Sequence, residues 1–269
     1  MNRFQSRIKG RKGPGGFVLR YSRGNSIAGA AVIVMSSMII SRLTGFIRET
    51  MLSWKVGLSW VQDAYIAAFA VPDLMYALLV GGTISAALVP FLSGSLEQGR
   101  EKEGWKAVSS FINTVIAGTA LLCVLGVIFA PCIIPAVVPG FNENSPETKE
   151  LAIRLSRILF PSVSFIMLAG ICNGVLNSYK RFAAAAYGPS IYNIGSALSI
   201  YLFADTDAGS MTRVAAGVAV SAMIYFIIQL SFSLPEFKGY RLGIDFYDNA
   251  YQKLVKQAVP SLMASSVTY

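Results

Sequence analysis

An all-α bundle of membrane-spanning helices is the fold this sequence predicts, and three observations carry the prediction. Apolar residues make up 54% of the chain and charged residues 14%, against about 25% charged in ordinary soluble domains. Water cannot cover that much apolar surface, whereas lipid accepts it. Long apolar runs recur, each reaching the roughly 20 residues that a helix needs to cross a bilayer, and they lack the period of two that a strand would show. The connections between them alternate between basic and acidic, as in a chain that crosses a membrane repeatedly.

The elements follow in order. A basic tail, residues 1–26, carries Arg3, Arg7, Lys9, Arg11, Lys12, Arg20 and Arg23. It reads either as a solvated arm that sets topology or as a binder of anionic lipid. Predicted spans cover Ile27 to Trp54, Val61 to Phe91, Trp105 to Val137, Leu151 to Leu176, Phe182 to Phe203 and Val214 to Leu234. A seventh begins near Leu254 and is still running at Tyr269, which reads as a truncated helix. The division expected is a tail (1–26), a six-helix lobe (27–235), and a linker with the start of a seventh helix (236–269).

Charge in the loops sets the expected orientation. Arg100 and Lys102, then Lys180 and Arg181, then Lys238, Arg241, Lys253 and Lys256 mark every second connection as cytoplasmic. The intervening loops are poorer in basic residues, except the short first one, where Lys55 is the only charge: Glu143, Glu147 and Glu150 stand against Lys149, and Asp205 and Asp207 stand alone. The expected topology is multi-pass in a bacterial plasma membrane with a cytoplasmic N-terminus.

Composition also excludes functions. The net charge of +9 comes with aromatics scattered among apolar residues rather than interleaved with a basic surface, so nucleic-acid binding is not expected. The chain has no histidine, which removes the ordinary Ser-His-Asp triad and the common zinc sites. Cys123, Cys132 and Cys172 form no CxxC pair and sit in apolar runs. No enzyme, metal or cofactor is expected.

Ionisable groups inside spans are costly, about 2.5–3.5 kcal/mol for an arginine at a helix centre. The first span holds Arg42, Arg48 and Glu49. At about 3.6 residues per turn, Arg42 and Glu49 share a face and Arg48 lies roughly 120° from Arg42. Two readings stand: a polar side lining a water-filled interior, or an internal salt bridge with topology signalling at the helix end, which covers Arg48 and Glu49 near the outer boundary and Arg42, more than a turn from either end, less well. The second span holds Asp63 near its start and Asp73 just after Pro72. Asp73 reads as a gate partner for Arg42 or Arg48, or as a static interhelical pair. In the fourth span Gly170 and Gly174 form a close-packing face. Asn173 stands beside that face, able to bond across it. Pro161, Pro189 and Asn193 read as packing residues.

These residues carry a resemblance. The stretch Ser41-Arg42-Leu43-Thr44-Gly45-Phe46-Ile47-Arg48-Glu49 resembles the first-helix S-R-x-x-G-F-x-R-[DE] pattern of the MurJ (MviN) lipid II flippases. Asp63-Ala64-Tyr65, Phe69, Pro72-Asp73-Leu74 and Gly82 to Pro90 are similar to the family's second-helix pattern. Pro139-Gly140-Phe141 matches its P-G-F loop, and Leu176 to Phe182 its L-N-[ST]-x-x-[KR]-F turn. The resemblance runs from about Ile27 to the end of the chain.

It implies the first lobe of a MOP-type exporter, plus the opening of the next helix. It also implies an alternating-access carrier whose substrate is undecaprenyl diphosphate bearing the peptidoglycan disaccharide-pentapeptide. The family's essential arginines map onto Arg42 and Arg48, and its acids onto Glu49 and Asp63. Tyr76 and Ala70 stand where many members are basic, and Gly81 where they are acidic, so fewer positive groups are expected in the cavity. Two rival readings remain open: export of another polyprenyl-linked glycan, and a non-transporting scaffold that assembles with cell-wall synthesis enzymes.

Overall fold

The computed structural model describes residues 27–76, 87–141 and 146–266, and these are helical with no strand among them. The first predicted span is α1 (Ile27–Val56). The second emerges as α2 (Trp60–Tyr76) at its start and α3 (Val89–Glu97) at its end; Gly81 and Gly82 lie outside the described residues. The third and fourth are α4 (Glu101–Val137) and α5 (Pro146–Ser178). The fifth is broken into α6 (Phe182–Ala186) and α7 (Gly188–Phe203). The sixth is α8 (Ala208–Ser233), continued by a 3-10 turn, Leu234–Gly239. α9 (Asn249–Ser266) begins before the expected Leu254.

Among the described residues four stretches are long and apolar enough to cross a bilayer alone: Ala31–Val56, Glu101–Val137, Pro146–Ser178 and Ala208–Gly239. In α5, 61% of the most apolar window is buried, against 6% in α1. α5 is therefore the central column, packed against α2, α4 and α8, and α1 lies at the edge against α7.

The break in the fifth span has a local cause. Pro189 occupies the first turn of α7, where its missing N–H and fixed φ suit a helix start but not a continuous helix. Gly188 sits beneath α8: a Cβ there would lie 2.2 Å from Gln229 Nε2 and 2.3 Å from the Tyr225 ring. Only glycine allows that approach. Asp207 starts α8 by accepting from the amides of Gly209 (2.8 Å) and Ser210 (3.0 Å). The Ser210 hydroxyl, and after it these amides, hold its carboxyl below the ordinary range.

Two prolines inside helices free carbonyls, and α5 answers both. Pro72 removes the N–H that Ala68 O would accept, and Ser156 Oγ donates there instead at 3.3 Å. Pro131 does the same to Val127 O, and Arg157 Nε donates to it at 3.3 Å. Neighbouring residues of one helix thus repair gaps in two others, as the bilayer interior requires of any freed backbone group.

The core forms two clusters. One gathers the end of α1, the starts of α2, α5 and α8, and the ends of α4 and α7, around Val61, Leu155, Ile200 and Met211. The other joins α3, the start of α4, the end of α5 and α9, around Leu92, Trp105, Val175 and Leu254.

The three basic connections meet at this second end. Trp105 Nε1 donates to Tyr179 Oη (2.8 Å), which donates to Glu101 (2.7 Å). Burial, then the Glu101 bond, raises the Tyr179 phenol. Lys180 pairs with Glu97 at 3.2 Å and Arg181 with Glu236 at 3.0 Å. The segment before α9 is strapped to α4: Lys106 bridges Asp245 (3.0 Å) and Asp248 (2.9 Å), and Asn113 donates to Arg241 O and Gly243 O. The convergence of these connections at one end agrees with the alternation read from the loops.

Candidate functional site

Between the two clusters, α1, α2, α5, α7 and α8 line an open cavity of about 230 Å³. Its wall carries Arg48 from α1, Phe69, Pro72 and Asp73 from α2, and Ser162, Val163 and Ile166 from α5. Pro189, Tyr192 and Asn193 from α7 and Tyr225 from α8 complete it. Each helix contributes for a local reason. The Pro72 break turns α2 where Asp73 follows, and the break before Pro189 starts a fresh helix whose opening turns carry Tyr192 and Asn193.

Arg48 is the only basic residue among the described residues lining this cavity. Its Nη2 donates to Glu49 Oε1 at 2.5 Å, and its Nη1 to Asn193 Oδ1 at 3.5 Å. The side chain of Arg48 is 25% exposed and that of Glu49 61%, so the arginine is set into the lobe and the glutamate projects from it. Asp73 faces the same cavity from α2, and among the described residues no ion pair joins it to Arg48 or Arg42. Behind the lining residue Tyr225, Asn173 Nδ2 donates to Tyr225 Oη at 2.8 Å, a cross-helix bond of the kind its place beside Gly174 allows.

The cavity therefore brings together two of the five residues singled out from the sequence, Arg48 and Asp73, with Glu49 bonded to Arg48 from outside the wall. Arg42 is exposed on another face of α1, and Asp63 is exposed at the start of α2; neither lines the cavity. Ala70 is half-buried on α2, and Gly81 lies outside the described residues. The sequence reading treats Asn193 as packing and does not single out Ser162, Tyr192 or Tyr225. Tyr192 and Asn193 reach this wall on the helix that restarts at Gly188, for which the Gly-Pro pair was the signal.

Chemically, the wall offers one guanidinium, one carboxylate, two phenols, a hydroxyl and an amide among apolar groups. That set suits binding a polar anionic group at membrane depth: guanidinium makes forked, charge-assisted bonds to phosphate or carboxylate oxygens.

Comparison with known proteins gives the family. The pattern of the family described as Lipid II flippase MurJ matches residues 52–269. The lipid II flippase MurJ of Burkholderia cenocepacia is 32% identical over 202 residues, and that of Thermosipho africanus 31% over 204. These alignments cover 75% and 76% of this chain but 39% and 41% of those proteins. The chain thus spans about two fifths of the length of these relatives.

A solved lipid II flippase MurJ in an inward closed conformation superposes with a TM-score of 0.64 at 26% identity, over 88% of this chain and 48% of that one. A MATE transporter in the straight conformation shares the fold, with a TM-score of 0.66 at 15% identity, over 88% of this chain and 52% of its own. The fold is accordingly an all-α membrane bundle, shared with solved MurJ and MATE transporters over about half of their length. With the family pattern matched over residues 52–269, the chain belongs to the lipid II flippase MurJ family.

Proposed function

We propose that this chain forms the first lobe of a lipid II flippase, which carries undecaprenyl diphosphate bearing a disaccharide-pentapeptide from the inner to the outer leaflet of a bacterial plasma membrane. The observation that carries the reading is Arg48, partly buried within the spanning helix α1 and lining a polar cavity. An arginine at that depth is expensive without a partner, and a diphosphate is an anionic group that must cross the same depth. Family membership supplies the substrate class.

In this proposal the diphosphate engages Arg48 by charge-assisted bonds, while the polyprenyl tail stays in lipid. Glu49 balances the arginine's charge in the unloaded state, and Asp73 repels the phosphates from the α2 side, so binding stays reversible. Arg42 and Asp63, exposed on this lobe, meet the headgroup or the facing lobe when the carrier closes. The N-terminal tail (1–26) and the end bearing the basic connections are cytoplasmic, the lobe proper is 27–235, and residues 236–269 link to a second lobe. Membrane lipids surround the exposed apolar faces. The lobes rock against each other to open the cavity to each leaflet in turn.

The test is complementation of flippase-depleted cells by the complete reading frame. Arg48→Ala is expected to abolish growth and Arg48→Lys to restore it poorly, because an ammonium lacks the planar fork. Normal growth with both variants would remove the assigned role.

A further inference from the structure

The cavity's cation is held by a neutral amide on another helix. Asn193 sits half-buried between α7 and α1, and both ends of its carboxamide are used. Nδ2 donates to Ser41 O at 3.1 Å, and Oδ1 accepts from Arg48 Nη1 at 3.5 Å. Ser41 and Arg48 lie two turns apart on the side of α1 that meets α7.

We propose that Asn193 is the positioning residue for Arg48: its amide, locked by the Ser41 carbonyl, presents an uncharged acceptor that aims the guanidinium into the cavity to receive a diphosphate. The proposal rests on the Arg48 reading above. The Ser41 carbonyl can only accept, so it fixes which end of the amide faces it. A flipped amide would set Oδ1 against Ser41 O and its NH2 group against the guanidinium, losing both bonds. The orientation of the amide is therefore dictated by backbone.

The identity of the residue matters as much as its orientation. Arg48 already shares one terminal nitrogen with Glu49. An aspartate at 193 would add a second carboxylate and neutralise the charge that the ligand needs. Alanine would leave the guanidinium free to swing toward Glu49 and the exposed face of α1. Asparagine restrains the group without consuming its charge, and leaves N–H donors for phosphate oxygens.

The experiment measures the dissociation constant of undecaprenyl diphosphate for the complete reading frame in nanodiscs, in a double-mutant cycle. Asn193→Ala is expected to weaken binding about tenfold, the scale of removing one charge-assisted hydrogen bond, and Asn193→Asp at least as much. In an Arg48→Ala background Asn193→Ala is expected to change the constant by less than about twofold, because the group being aimed is gone. A residue that merely packs α7 on α1 would give the same loss in both backgrounds, and that result overturns the proposal. Unchanged binding by Asn193→Ala, with loss in Arg48→Ala, overturns it while sparing the Arg48 reading. Unchanged binding by Arg48→Ala overturns both. If the alanine variant does not fold, Asn193→Leu, of similar volume but without the amide, decides in the same way.

Discussion

Replacing Ser156 with alanine removes a donor that a proline on another helix makes necessary. Pro72 has no N–H, so Ala68 O loses its bond within α2 and accepts from Ser156 Oγ at 3.3 Å. Both Ala68 and Ser156 are fully buried, so no solvent replaces the lost donor. A neutral hydrogen bond contributes about 0.5–1.5 kcal/mol net, and a buried acceptor left bare costs about 1–3 kcal/mol. The bond is longer than the usual hydroxyl distance, which puts Ser156→Ala at about 1–2 kcal/mol. In a Pro72→Ala background residue 72 regains its N–H and closes the gap within α2, so Ser156→Ala should then cost less than about 0.5 kcal/mol. Unfolding of the purified protein by SDS titration in mixed micelles, followed by far-UV circular dichroism, measures all four corners of the cycle. Equal losses in the two backgrounds would refute the repair of α2 by α5.

Three further outcomes follow from the same packing. Arg157→Ala is expected to cost about 1 kcal/mol, at the low end for a charged donor because the side chain is exposed, and nothing measurable in a Pro131→Ala background, by the same titration. Gly188→Ala drives a methyl group into the Tyr225 ring and Gln229; separating α7 from α8 should cost about 1–3 kcal/mol and lower diphosphate affinity together with stability. Lys106, by hydrogen bond and then by charge, holds the Asp248 carboxyl below its ordinary range. The carboxylate's contribution is thus full above the unfolded value of about 4 and lost as pH falls through the lower folded value. Wild type should melt above Asp248→Asn at pH 7, and the gap should close in acid below about pH 4. A gap that persists there would contradict the bridge.

The spans were legible because lipid demands long apolar runs, and such runs survive uncertain boundaries. The α5–α6 turn was legible from Lys180 and Arg181, and the bond across the α5 face from Asn173. The break at Gly188 was not, because it depends on how closely α8 approaches, a tertiary fact. Arg157, a cation inside the predicted fourth span, went unread for the same reason: its partner is a carbonyl exposed by a proline on another helix. At the site, sequence named both Arg42 and Arg48 and favoured Arg42, the deeper of the two in the first span. Which of them lines the cavity depends on which side of α1 meets α7, and their 120° separation could not say. Asn193 looked like packing because an amide between helices does pack; only its two bonds reveal what it orients.

The central claim is that the Arg48 cavity is wet and receives an anionic headgroup. It is tested most directly at Ile166, a half-buried lining residue. Ile166→Cys is made in a background where Cys123, Cys132 and Cys172 are replaced by alanine, and a membrane-impermeant maleimide is added with and without undecaprenyl diphosphate. The account predicts labelling from water, protection by the lipid, and loss of that protection in Arg48→Ala. A thiol that never labels, or protection that persists without the guanidinium, would contradict it.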